Sequence, residues 1–125
     1  MKKNQTSVKK ALRSFAFAFN GLKILILEEQ NARIHTIGAF CAIVLGFVLK
    51  ISLHEWVTII LAIGFVITIE TINSAIENLA DFVSPDKHDL IKKVKDLSAG
   101  GVLLSAITAL IIGLIIFLPK LITHV

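Results

Sequence analysis

Apolar residues recur at three- and four-residue spacing from about Ser7 to Glu29: Val8, Leu12, Phe15, Phe19, Leu22 and Ile26. This period predicts an amphipathic helix, with Lys9, Lys10, Arg13, Asn20 and Lys23 mostly on its other side. A basic helix with Phe and Leu on one face suits a membrane interface; docking onto a partner is the alternative. From about residue 34 to 49 the period gives way to a nearly unbroken apolar run. It is short for a hydrocarbon layer of about 30 Å, which takes about 20 helical residues, but Arg33 and Lys50 at its ends can snorkel. Ser52-Leu-His-Glu55 then reads as a capping box, with Ser52 as N-cap and Glu55 at N3. Trp56 follows at the level expected of an interfacial aromatic. A second span begins there, is apolar to Ile69 and crosses by about residue 77. Its helix runs on to about Phe82 with one polar side. Ser84 and Pro85 predict the next helix start, as cap and first residue. The charged stretch Asp86 to Asp96 leads into a third span at about residues 99–118.

The expected fold is therefore an all-α membrane protein. It has three transmembrane helices and an N-terminal surface helix, in one domain over residues 1–125. Composition agrees: 55% of the 125 residues are hydrophobic and 18% charged, too apolar for a soluble domain of this length. The net charge of +4 sets topology in such a chain. Arg and aromatic residues are not interleaved as nucleic-acid stacking requires, so no nucleic-acid partner is expected. Lys2, Lys3, Lys9, Lys10, Arg13, Lys23 and Arg33 precede the first span, and Lys87, Lys92, Lys93 and Lys95 follow the second. The loop after the first span and the C-terminus carry only Lys50 and Lys120. The positive-inside rule puts the N-terminus and the 82–98 segment in the cytoplasm, in a multi-pass cell-membrane protein. The first 30 or so residues do not read as a secretory signal, because lysines interrupt their apolar positions. Cys41 is the only cysteine; it lies in an apolar run and reads as a small hydrophobe.

Small residues recur every four positions in the third span, as Gly101, Ser105, Ala109 and Gly113, and in the first, as Gly38, Ala42 and Gly46. Such stripes let helices approach closely in lipid. Three spans bury little alone, so a homo-oligomer is expected. The plain alternative is that small residues are common in spans.

The stretch from Glu70 to Asp81 carries the chemistry. Glu70, Asn73, Glu77 and Asp81 fall within roughly 80° of helical arc and along about 16 Å of helix. The stripe starts inside the span and runs out toward the cytoplasmic interface. Ionised groups near hydrocarbon cost several kcal/mol unless paired or hydrated, and carboxylates that converge call for a hard cation such as Mg²⁺. Glu28 and Glu29, at the end of the first helix, lie on the same side, as do Lys95 and Asp96 at the foot of the third span. A solvated polar face or ion pairs to Lys92, Lys93 or Lys95 also account for Glu77 and Asp81. Glu70 is harder to account for that way, because Phe65 to Ile69 before it are apolar. Proton or cation transport through Glu70, in a small oligomeric transporter, is the competing function. No glycine-rich phosphate loop or soluble kinase signature is present.

The run Glu70-x-x-Asn73-Ser74-Ala75-Ile76-Glu77-x-x-x-Asp81 resembles the signature of the small bacterial membrane lipid kinases, the diacylglycerol and undecaprenol kinase family. The likeness extends over nearly the whole chain, through Gly21-Leu22, Glu29-x-x-x-Arg33 and Lys95-Asp96. It implies a homotrimer of three-span subunits that transfers the γ-phosphate of MgATP to a lipid hydroxyl at the cytoplasmic membrane surface. By motif, Glu70 is the expected catalytic base, and Glu29 and Glu77 are the expected Mg²⁺ ligands. Asn73, Lys95 and Asp96 are expected at the ATP site. Asp86, Lys87 and His88 fall where the family touches nucleotide, and Lys10 and Phe17 stand where it often has Arg and Tyr. Arg33-Ile34-His35 replaces a more acidic stretch of the diacylglycerol branch. Asn31-x-Arg33-Ile34-His35 is more similar to the Gram-positive branch, whose substrate is usually undecaprenol. Diacylglycerol is the alternative acceptor.

Overall fold

The structure, a computed structural model, describes residues 6–123; Lys2 and Lys3 of the basic N-terminal group lie outside the described residues. It is all helical there: α1 (Ser7–Glu28), α2 (Gln30–Val48), α3 (Leu53–Val83) and α4 (Asp89–Thr123). The last three are long and apolar enough to cross a membrane. Most large apolar side chains point outward, among them Phe40, Phe47, Leu61 and Ile115. A water-soluble monomer rarely exposes so continuous an apolar surface, whereas lipid tails cover it at no cost.

Thr6 caps α1, its hydroxyl accepting from the Lys9 amide. The chain does not leave α1 by a loop. Glu29 alone adopts an extended backbone, φ −109° and ψ 111°, and α2 begins at the next residue. The helix that carries the first span therefore starts at Gln30, four residues before the apolar run from Ile34. Arg33 makes this kink tenable. Its Nη1 donates to the carbonyls of Ile26 (2.9 Å) and Leu27 (3.0 Å), two acceptors that the end of α1 would otherwise leave open. Arg33 thus serves a helix terminus rather than only the membrane edge.

The α2–α3 turn is tight. Lys50 takes the left-handed conformation, φ 53°. The Ile51 amide donates to the Gly46 carbonyl, and the Lys50 amide to that of Phe47. This is the Schellman closure, here with lysine where glycine is usual. Ser52 starts α3 through the expected capping box: the Glu55 amide donates to Ser52 Oγ at 3.2 Å, and the Ser52 amide to Glu55 Oε1 at 2.9 Å. Glu55 also pairs with Lys120 near the end of α4, at 3.2 Å. α4 continues past residue 118, through Pro119, to Thr123.

The expected helix start at Ser84-Pro85 is not found. Ser84 is instead the C-cap of α3, and its hydroxyl donates to the Asp86 carbonyl. Proline just beyond a helix end is common because it cannot continue the helix. The cap of α4 is His88, whose Nδ1 accepts from the Leu90 amide at 3.1 Å. Asp89 then supplies a negative charge to the first turn.

α3 and α4 pack along their length, while α2 leans mainly on α3. The tightest core gathers near the α2–α3 turn, around Ile51, Ile59, Ile116 and Phe117. Gly46 belongs to this core. A Cβ there would come within 2.7 Å of Trp56 Cη2, and the Trp56 ring packs against Phe47 at a tilt of 53°, with centroids 4.8 Å apart. One member of the α2 small-residue stripe thus serves packing within the chain.

Candidate active site

An apolar groove opens between α2 and α4, while α3 touches both and its polar side chains face their neighbours. Glu70 is 2% exposed, between apolar turns. Its Oε1 lies 2.7 Å from Nδ1 of His35, on α2. The approach is close but off hydrogen-bond alignment, and neither buried atom has another partner among the described residues.

One turn on, Ser74 is buried and donates from Oγ to Glu29 Oε1 at 3.0 Å. The extended backbone at Glu29 lets a residue between two helices reach across to α3. Asn73 faces α4: its Oδ1 accepts from Ser98 Oγ at 2.6 Å, and its amide makes a longer contact, 3.4 Å, with Glu77 Oε1. Farther out, Asp81 pairs with Lys95, and Asp96 pairs with Lys92 at 2.6 Å. Exposed pairs of this kind are worth about 0–1 kcal/mol, so either lysine can turn to another anion at little cost.

Among the hollows beside these residues, two bear on the chemistry. One, about 390 Å³, lies at the foot of α4 and is lined by Lys87, His88, Lys92, Lys95 and Asp96. The other, about 620 Å³, is an apolar groove between α2, α3 and α4. Gly38 and Ala42 line one side, Ala109 and Gly113 another, with Val66 on α3 and His35 the polar group. Four stripe residues, Gly38, Ala42, Ala109 and Gly113, thus leave open space, whereas Ser105 is fully buried within the chain.

The profile of the prokaryotic diacylglycerol kinases matches residues 16–117. The chain belongs to that family. It is 36% identical to the undecaprenol kinase of Bacillus subtilis over 96% of this chain and 98% of that one. It is 34% identical to a diacylglycerol kinase of Synechocystis, over 90% of this chain and 65% of that protein, and 33% identical to that of Helicobacter pylori, over 79% and 77%. Membership makes the protein a multi-pass membrane lipid kinase that uses ATP. The transporter reading of Glu70 falls with it.

Within this lipid kinase the expected site residues form groups rather than one cluster. Glu29, at the α1–α2 kink, meets Ser74, and Asn73 and Glu77 touch each other in the C-terminal half of α3. Lys87, His88, Lys95 and Asp96 share the hollow at α4. Glu70 is set deeper, with His35. Asp86 stands in the turn, its carbonyl used by Ser84. Lys10 and Phe17 are on the exposed surface of α1, and no hydrogen bond or ion pair joins their side chains to the rest among the described residues. Nor do three or more His, Cys, Asp or Glu side chains converge there in one metal-ready group. The carboxylates spread along α3, because a turn of helix separates successive members of the stripe. Ser74, Ser98 and His35 were not expected at the site. Ser74 is four residues from Glu70, so its face was readable; nothing local pointed to the other two as partners of α3.

Proposed function

We propose that the protein transfers the γ-phosphate of MgATP to undecaprenol at the cytoplasmic face of the membrane. The observation that carries the site is Glu70: a carboxylate buried in an apolar span, beside an apolar groove, on the same helix as polar groups that run out to the membrane exit. What supports undecaprenol is the similarity to the B. subtilis kinase over almost all of both chains.

Glu70 acts as the base. As the lipid O–H bond breaks, its proton goes to the Glu70 carboxylate. The oxygen bonds to the γ-phosphorus, and the bond from that phosphorus to the β,γ-bridging oxygen breaks, so that ADP leaves with the electron pair. Phosphoryl transfer needs mainly alignment and charge neutralisation. Glu77 lies seven residues, about 10 Å of helical rise, from Glu70, which separates a phosphate end from a lipid end. The donor set suits Mg²⁺, a hard cation commonly held by one or two carboxylates plus phosphates: Glu29 and Glu77 each spend one carboxylate oxygen on a neutral neighbour. When bound, the ion would neutralise phosphate charge. Asn73, Lys87, His88, Lys95 and Asp96 would hold the nucleotide, with Asp86, Lys10 and Phe17 as outer contacts.

The basic N-terminal and 82–98 segments place both on the cytoplasmic side. The outward apolar faces and the open space at Ala109 and Gly113 on α4 support a homotrimer. Crosslinking in membranes should give a trimer, and Ala109→Leu should weaken it. The decisive assay follows phosphate transfer from ATP to undecaprenol and to diacylglycerol in parallel, in detergent micelles. Faster turnover of undecaprenol is expected; preference for diacylglycerol would overturn the substrate assignment.

A further inference from the structure

We propose that His35 is a positioning residue for Glu70: its Nδ1–H holds carboxylate oxygen Oε1, so that Oε2 faces the lipid hydroxyl. The proposal rests on Glu70 being the base. It starts from burial. A carboxylate in an apolar span is costly unless something satisfies it. Among the described residues, the one ion-pair partner within reach of Glu70 is His35, 2.7 Å away on another helix. His35 Nδ1 and Glu70 Oε1 are both sealed, without any other partner, whereas Oε2 is not sealed in this way. Two bare lone pairs do not sit 2.7 Å apart in a dry interior, so a proton lies between them. The imidazole tautomer that carries it on Nδ1 meets the carboxylate with a donor.

The location adds an independent reason. His35 lines the apolar groove between α2, α3 and α4, and its side chain keeps 26% exposure against 3% for that of Glu70. The imidazole therefore stands between the open groove and the sealed oxygen. With one oxygen held, the carboxylate cannot spin, and the other is presented in a fixed direction. The present misalignment is of the kind that tightens when substrate completes a site.

Two substitutions of similar size separate this role from packing. The side-chain nitrogen of asparagine is bonded to Cγ, as Nδ1 of histidine is; that of glutamine lies one atom farther out. His35→Asn should keep a donor at the right place and His35→Gln should move it. In the full-length protein, with rates normalised to folded enzyme, His35→Gln should lower kcat for lipid phosphorylation about tenfold or more. His35→Asn should stay within about threefold of the unmodified enzyme. The KM for ATP should not move in either, since the lost interaction acts on the transition state. Equal kcat in the two variants, or a change confined to KM, would overturn the positioning role. Glu70→Gln measured alongside keeps the two ideas apart. If it abolishes turnover while His35→Gln is normal, only the positioning role fails. If Glu70→Gln itself keeps normal kcat, the base assignment fails, and the positioning role with it.

Discussion

Glu55 and Glu70 lie on one helix, fifteen residues and about 22 Å of rise apart, and their surroundings differ in every respect. Glu55 has a donor and a cation on one oxygen: its Oε1 accepts from the Ser52 amide and pairs with Lys120, and its side chain is 26% exposed, beside the tight core of Ile51, Ile59, Ile116 and Phe117. Glu70 is more deeply buried yet has one imperfectly aligned imidazole, next to an open groove. A carboxylate that serves only the fold ends up satisfied. Glu70, the proposed proton acceptor, is shut away from solvent with neither a backbone donor nor a lysine beside it among the described residues, and the surrounding structure bears that cost. The packed end of the molecule holds the helices in register; the groove between α2 and α4 runs from that end to His35, beside the proposed base.

The sharpest way to break this contrast is Glu70→Gln. It keeps the shape and removes the proton acceptor. A drop in kcat of about 10² or more is expected, the usual scale for general-base catalysis, with little change in ATP KM or thermal stability. A variant with normal kcat, or one that loses stability while turning over normally per folded molecule, would make Glu70 a second Glu55. Next in size is Glu77→Gln. If Glu77 holds the ion, the Mg²⁺ concentration for half-maximal rate should rise about tenfold or more, since even indirect disturbance of a metal site costs 10–100-fold. Glu29→Gln should behave alike. Titrating Mg²⁺ at saturating ATP checks both, and an unchanged requirement would return them to a structural role.

Local pattern revealed what local pattern can. The spans follow from apolar runs, the start of α3 from Ser52 and Glu55, and the acidic face from the 3.6-residue period. Where two polar residues competed for one role, the sequence misled: Ser84-Pro85 has the better cap chemistry, but the chain needs those residues to leave α3, and His88 caps α4 instead. The kink at Glu29 has no Gly or Pro to announce it. The contacts that build the candidate site join distant parts of the chain: Ser74 to Glu29, Ser98 to Asn73 and His35 to Glu70. Periodicity says which face a residue is on, not which residue of another helix stands opposite it. Gly46 shows the same limit, since its neighbour Trp56 arrives only after the hairpin closes.

Gly46 tests the packed side of the comparison. A leucine there would drive into Trp56 and Ile51, and overpacking of this sort costs about 1–3 kcal/mol. Gly46→Leu should therefore lower thermal stability measurably while kcat per folded molecule stays normal. A loss of kcat without a loss of stability would mean that the core end is coupled to the chemistry.

The smallest effect is expected from Glu55→Gln, and its size is what makes it informative. The amide keeps an oxygen to accept from the Ser52 amide, so the capping box survives in geometry and loses only charge. The pair with Lys120 is lost, but it lies at the aqueous end of the helices, where water and salt screen both partners. Thermal stability should fall less than in Gly46→Leu, and the difference should shrink as salt is added, because the unmodified protein loses the same attraction by screening. kcat and both KM values should match the unmodified enzyme. Set beside Glu70→Gln, the same chemical change on the same helix then gives opposite signatures: a small, salt-dependent stability loss at one end, and a large rate loss with stability intact at the other. If Glu55→Gln lowered kcat while leaving stability unchanged, burial and partner count would not be what distinguishes the two carboxylates.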